Sequence, residues 1–212
     1  MEPIVDFKIL PERLRQAAQV VTVAVASPAD SHTEEVIERS IAEQFARFIL
    51  VANAAKADIA RRLAADYPDK VTLIVAEDDD DAARHAVKEV REGRADVLMK
   101  GSLNTDNLLR AVLNKEEGIL IKGSVLTHIA VADVPSLNHL LFFTDAAVIP
   151  YPTTEQFDAL ARYITATYRS ITGGDRPRLA LIHCTEKVSE KFPLTLSYEE
   201  LKANAANGAY GE

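Results

Sequence analysis

Cysteine is nearly absent: one residue, Cys184, occurs in a chain of 212. No internal disulfide can form, and no zinc-type cysteine spacing exists. The chain therefore suits a reducing compartment, and a cytoplasmic location is expected. Glycine and proline are scarce at 8 and 9 residues, while 48% of the chain is apolar and 26% charged. That balance excludes collagen-like, low-complexity and disordered classes. No stretch approaches about 18 uninterrupted apolar residues, so no membrane-spanning helix is expected. The start, MEPIVDFKILPERLRQ, carries acids and lacks an apolar core ahead of a small-residue cleavage site, which excludes an ordinary secretory signal. The spacings of Gly93, Gly101, Gly118 and Gly123 fit no Walker loop, dinucleotide fingerprint or nucleophile elbow. His32, His85, His139 and His183 show no metal-ligand spacing, and no metal is expected.

Positive charge is also in short supply, with 24 Lys and Arg against 32 Asp and Glu and a formal net charge of −8. The summed field repels nucleic acid and anionic membranes, so neither is expected as a partner. A polyanionic ligand needs a local basic exception. Residues 97–115 supply one, with Lys100, Arg110 and Lys115 against the single carboxylate of Asp106.

What is present is a rhythm. Short runs rich in Val, Ile, Leu and Phe alternate with longer segments whose apolar residues recur every three or four positions. Strands are predicted at 20–26, 48–52, 71–76, 96–99, 125–131, 140–144 and 179–183. Helices are predicted at 33–45, 54–67, 80–92, 105–114, 153–170 and 198–207. Mostly unbroken apolar strands belong to a parallel sheet covered on both faces, so the fold class is α/β. The glycine-containing stretch 118–123 interrupts the rhythm, because 125–131 and 140–144 read as neighbouring or hairpin-joined strands. A domain change is placed there, giving an N-terminal α/β domain at 1–122 and a second at 123–212. Residues 172–177 read as a loop.

Three motifs carry candidate chemistry. Residues 96–110, DVLMKGSLNTDNLLR, run from a strand through a glycine turn into a helix capped by Asn104 or Thr105. Ligands of open α/β sheets sit at the carboxyl ends of strands, and a helix start offers amides to an anion. Lys100, Gly101, Ser102, Asn104 and Thr105 thus form a candidate phosphate cradle; the alternative is a plain strand-to-helix loop. The acidic run 77–81 reads as the solvated, dipole-favoured start of a helix rather than a cation site. Thr127 and His128 lie inside the apolar strand 125–131, and Asp145 follows 140–144 at a strand's carboxyl end; near one crevice such groups either exchange protons and orient substrate or serve as hydrogen-bonded structural groups.

Three segments in order, ADVLMKGSLNTDNLLRAVLNKEEGI, SVLTHIAVADVPSLNHLLFFTDAAV and RPRLALIHCTEKVSEKFPLTL, resemble the phosphate acetyl/butyryltransferase family, its butyryl branch most. The resemblance implies a three-layer α/β/α fold of the isocitrate/isopropylmalate dehydrogenase type, usually dimeric, with its active site in a cleft between two domains. It implies acyl transfer between coenzyme A and phosphate, with coenzyme A a substrate and no resident cofactor. Lys100, Gly101, Ser102, Asn104, Thr105, Lys122 and Thr127 would then bind substrate, and His128 and Asp145 would be catalytic. The family usually has Arg where Lys122 stands and Ser where Thr127 stands. It continues Met-Asn where this chain reads Val148-Ile149-Pro150-Tyr151. It is also longer, and its C-terminal section carries a Ser-Arg…Asp motif for proton transfer and anion binding. This sequence stops before that section, so a truncated second domain is expected, its exposed apolar sheet favouring a homo-oligomer. Two expectations follow: an acyltransferase, or an inactive homologue that only binds coenzyme A or phosphate or serves as an interaction or structural protein.

Overall fold

Parallel strands need crossovers of a dozen or more residues, and the spacing of the apolar runs provides them. The computed structural model describes residues 4–16, 20–174 and 176–211. Asp175 of the expected loop and Glu212 lie outside the described residues. The chain divides into two units, Pro11–Lys122 on one side and Gly123–Glu212 with Met1–Leu10 on the other. A short helix that periodicity did not reveal, α1 (Leu10–Gln16), continues a 3-10 turn at Phe7–Ile9 and buries none of its residues.

In the unit Pro11–Lys122, strands β1 (Val21–Ala26), β2 (Ala46–Asn53), β3 (Val71–Ala76) and β4 (Val97–Lys100) form one parallel sheet in the order β3-β2-β1-β4. Four helices alternate with them: α2 (Ser31–Ala42), α3 (Asp58–Asp66), α4 (Asp79–Arg91) and α5 (Thr105–Val112). Because successive strand side chains point to opposite faces, the sheet builds two cores. Val25, Phe48, Leu50 and Ala52 pack with Ile37, Ile41, Ala60 and Leu63 of α2 and α3. Ala24, Ala26, Ile49 and Val51 pack with Ala82, Ala83, Ala86 and Val87 of α4 and with Ala111 of α5. Alanine on the facing side of α4 lets that helix approach the sheet closely.

Two helix starts in this unit, those of α2 and α4, are set by carboxylates. Asp30 accepts the Thr33 amide at 2.9 Å, and Asp78 accepts the Asp81 amide at 2.8 Å. The acidic run therefore caps α4 and lines its first turn, where negative charge complements the helix dipole.

The other unit holds a two-stranded antiparallel sheet, β5 (Ala130–Ala132) with β6 (Leu141–Phe143), and two helices, α6 (Thr154–Thr172) and α7 (Pro193–Ala206). α6 starts in a capping box of Thr153 and Gln156 and ends at Gly173, whose φ of +67° is the left-handed turn that glycine takes without a steric penalty. α7 begins five residues earlier than the periodicity suggests, because Pro193 occupies its first position, where the missing amide costs nothing.

Two strand predictions need correction. Of 125–131, only Ala130–Ala132 pairs with a neighbour. Residues 179–183 form no strand; Leu179 and Ile182 are exposed at 42% and 85%. An apolar run specifies a strand only where a second strand offers its hydrogen-bonding edge, and among the described residues none does so here. Among the described residues no helix is long and apolar enough to cross a membrane.

Candidate functional site

The carboxyl ends of the parallel strands gather polar residues onto one buried serine. Ser27 follows β1 with φ +57°, a left-handed conformation rare for a side-chain-bearing residue, and it is 1% exposed. That backbone turn is held by bonds in several directions. The Ser27 amide donates to Val51 O at 2.8 Å, and its hydroxyl donates to Asp79 Oδ1 at 2.8 Å. Its carbonyl accepts both the amide of Ser102, at 2.8 Å, and the Ser102 hydroxyl, at 3.0 Å. Asp79 also accepts from Asn53 Nδ2 at 3.0 Å and from Lys56 Nζ at 3.1 Å. The Asn53 amide is the largest influence holding the Asp79 carboxyl below its ordinary range. Burial opposes it, and Ser27 and Lys56 reinforce it.

This hub locks the loop after β4. Gly101 donates its amide to Ala26 O at 2.9 Å. A Cβ on Gly101 would lie 2.4 Å from Ser27 O, so no larger residue fits without moving backbone. The ammonium of Lys100 donates to Gly101 O and Leu103 O, both at 3.0 Å, and stiffens the same turn. The candidate phosphate cradle is therefore narrower than the sequence suggests. The amides of Gly101 and Ser102 are committed to the β1 loop and are not offered to an anion. What remains is the start of α5. Asn104, its N-cap, makes no side-chain cap bond, and of the first-turn amides that of Asn107 donates to Asn104 O at 3.2 Å, which leaves those of Thr105 and Asp106 as the ones a helix start offers. The Lys100 ammonium is held just before it by Leu103 O, Thr105 is its first residue, and Asp106 adds one negative charge in the same turn. Ser102 further borders an open hollow of about 470 Å³ with Ala29, Lys56, Asp58 and Ile59. Arg110, counted among the local cations, pairs with Asp80 at 3.1 Å, and Asn107 donates to the same oxygen at 2.6 Å. Lys122 is exposed at the end of this unit.

The other unit brings Thr127, His128 and Asp145 together. Asp145 Oδ2 accepts the Thr127 hydroxyl at 2.8 Å and the His128 amide at 3.1 Å. Its Oδ1 accepts the amides of Ala147 and Val148, both at 2.8 Å. Burial pushes the Asp145 carboxyl up, but the Val148 and Ala147 amides, the Thr127 hydroxyl and the His128 amide outweigh it and hold the group well below the usual carboxylate range. Both oxygens of Asp145 thus serve as acceptors. The His128 side chain is exposed, and among the described residues no hydrogen bond engages its ring.

Ser27, Asn53, Asp79 and Thr144 were not legible as site residues. Nothing in local sequence marks a serine that will adopt positive φ, and the donors of Asp79 lie 23 to 52 residues away in the chain.

Residues 70–207 match a family model described as phosphate acetyl/butaryl transferase. A probable phosphate butyryltransferase of Bacillus subtilis (strain 168) is 31% identical over 83% of this chain and 58% of its own length. A phosphate butyryltransferase of Clostridium beijerinckii is 35% identical over 87% of this chain and 61% of its own. The chain thus spans about three fifths of these relatives. A solved structure of a branched-chain phosphotransacylase from Enterococcus faecalis V583 superposes with a TM-score of 0.71 at 22% identity, over 87% of this chain and 64% of that one, which shows the shared fold.

Proposed function

The chain belongs to the phosphate acetyl/butyryltransferase family, and on that premise we propose that it moves a short or branched acyl group between coenzyme A and phosphate. In one direction the thiol sulfur attacks the acyl phosphate carbonyl. A C–S bond forms, the C–O bond to phosphate breaks, and the thiol proton passes to a base. In the other direction a phosphate oxygen attacks the thioester and the thiol leaves. Acyl phosphate, acyl-coenzyme A and phosphate are the substrates, and this chemistry calls for no resident metal or redox group.

Such a reaction needs a seat for phosphate and a proton acceptor. Lys100, Asn104 and Thr105 would supply the seat, with Gly101 and Ser102 shaping the turn and Lys122 a further cation. His128 would supply the acceptor, because a neutral imidazole carries a ring nitrogen that can take a proton and the residue is exposed. Thr127 and Asp145 would fix its surroundings. The observation that carries the reading is the uncapped start of α5 beside the Lys100 ammonium, inside the segment matched by the family model.

The butyryl or branched preference follows the similarity to phosphate butyryltransferases and to a branched-chain phosphotransacylase. A methylene in an acyl pocket is worth only about 1 to 3 kcal/mol, so several acyl groups should be accepted with graded rates. Exposed apolar residues such as Ile121 at 76% and Ile182 at 85% favour association into a homo-oligomer, and gel filtration giving a clean monomer would count against that part. The test of the activity is thiol release from butyryl-, isobutyryl- and acetyl-coenzyme A in the presence of phosphate. A folded sample with no release above background rejects the acyltransferase reading for this polypeptide, and calorimetric binding of coenzyme A without turnover would mark a binding protein instead.

A further inference from the structure

The β5–β6 ladder pairs Ala132 with Leu141, Val131 with Phe142 and Ala130 with Phe143. Continuing that register would set His128 opposite Asp145. The ladder stops before it reaches them, and side chains of Thr144 and Asp145 take over. The His128 amide donates to Asp145 Oδ2 at 3.1 Å, and the Thr144 hydroxyl donates to His128 O at 2.8 Å. Both main-chain groups of His128 are thereby held from the residue pair 144–145.

The hydroxyl protons settle the rest of the arrangement. Each threonine has one to donate: Thr127 gives its own to Asp145 Oδ2 at 2.8 Å, and Thr144 gives its own to the His128 carbonyl. The 3.0 Å separation of the two hydroxyl oxygens is then a close approach without a proton between them. The remaining Asp145 oxygen accepts the amides of Ala147 and Val148, both at 2.8 Å, so the clamp is anchored in its own turn.

We propose that Asp145 is a positioning residue: with Thr144 it fixes the main chain of His128 where the ladder ends, so that the exposed imidazole meets the reacting groups in one orientation. This rests on the acyl-transfer reading of the same residues. It assigns the proton to His128 and not to Asp145, whose oxygens are occupied by four donors. Small displacements of a catalytic group are costly, up to about a hundredfold for 1 Å, so a clamp on the main chain of one residue is sufficient to matter.

The test is a double-mutant cycle with Asp145→Asn and His128→Ala, assayed by thiol release, with folding checked by circular dichroism. His128→Ala is expected to lower kcat, and Asp145→Asn to lower it about tenfold or more. The KM for phosphate should stay within about twofold in Asp145→Asn, because the phosphate seat is on the other unit's loop. Asp145→Asn should cost nothing further in the His128→Ala background. Additive losses, or an unchanged kcat in Asp145→Asn, would overturn the proposal.

Should Asp145→Asn not fold, Thr144→Val replaces it, removing only the bond to the His128 carbonyl, with the same expected non-additivity. A wild-type chain without activity would sink the acyl-transfer reading separately. The clamp is then judged by NMR of the unliganded chain. Movement of the His128 amide and ring resonances in Asp145→Asn, with residues of the parallel sheet unshifted, supports it. Unchanged His128 resonances overturn it.

Discussion

Two aspartates organise the two units, and they do so by different routes. Asp79 draws its donors from Ser27, Asn53 and Lys56, at or just beyond the ends of β1 and β2. Asp145 draws two of its four from the amides of Ala147 and Val148 in its own turn, the local pattern that aspartate side chains favour. Both carboxyls are held below their ordinary range. The first hub exists only because a packed sheet brings strand ends together. The second needs a turn and one neighbouring segment. The surroundings differ in the same sense: the parallel sheet carries a core on each face, while the short β5–β6 sheet has three pairs and leaves Leu141 and Phe143 exposed at 43% and 44%.

The sharpest way to break that comparison is to remove core volume. Leu50→Ala, at a fully buried position of β2, should cost about 2 to 5 kcal/mol. Leu140→Ala in the other unit should cost less, because its surroundings are thin enough to collapse onto the space. Urea unfolding followed by far-UV circular dichroism measures both, and equal losses would remove the distinction between a packed and a sparsely packed unit.

Next in size is Gly101→Ala. Its added methyl meets backbone, not a movable side chain, and overpacking of this kind costs about 1 to 3 kcal/mol. Phosphate binding by calorimetry should weaken along with stability, since the same loop leads into α5. A variant of wild-type stability would refute the close approach to Ser27.

A smaller loss is expected from Asp79→Asn, about 1 to 2 kcal/mol at pH 7, as hydrogen bonds to a partly buried charge are weakened. Because the folded-state pKa lies below the unfolded one, the stabilisation is present above about pH 4 and is lost as pH falls through the lowered folded value. Wild type and variant should therefore converge in thermal unfolding as pH falls below about 4. A gap that stays constant with pH would show that the charge of Asp79 contributes nothing.

The smallest effect belongs to Lys56→Met. Its ion pair with Asp79 is half exposed on the lysine side, and such pairs contribute about 0 to 1 kcal/mol, less in high salt. A loss above that range would mean that Lys56 carries more of the hub than Ser27 and Asn53.

The four parallel strands and their helices were legible because buried strands and amphipathic helices imprint their periods on residues close in sequence. Val71–Ala76 was predicted to the residue, and Thr105–Val112 from its Asn104 start. The loop after β4 was legible in outline, as a strand, a glycine turn and a helix start. Its chemistry was not. Which amides remain for an anion depends on Ala26 and Ser27, some 75 residues earlier in the chain, accepting those of Gly101 and Ser102. The strand expected at 179–183 shows the same limit, since its apolar pattern specifies a willingness to pair but not a partner.

Composition, charge and period thus determined the α/β class, the strand–helix alternation from β1 to α5 and the acidic cap of α4, because each rests on interactions within a few residues along the chain. Tertiary structure alone decided that Ser27 turns into positive φ, that Asp79 gathers three distant donors, and that His128 is held by Thr144 and Asp145 where a ladder ends. The reason is directional: a hydrogen bond requires two groups at about 3 Å in a set orientation, and no local pattern encodes the meeting of groups that only packing brings together.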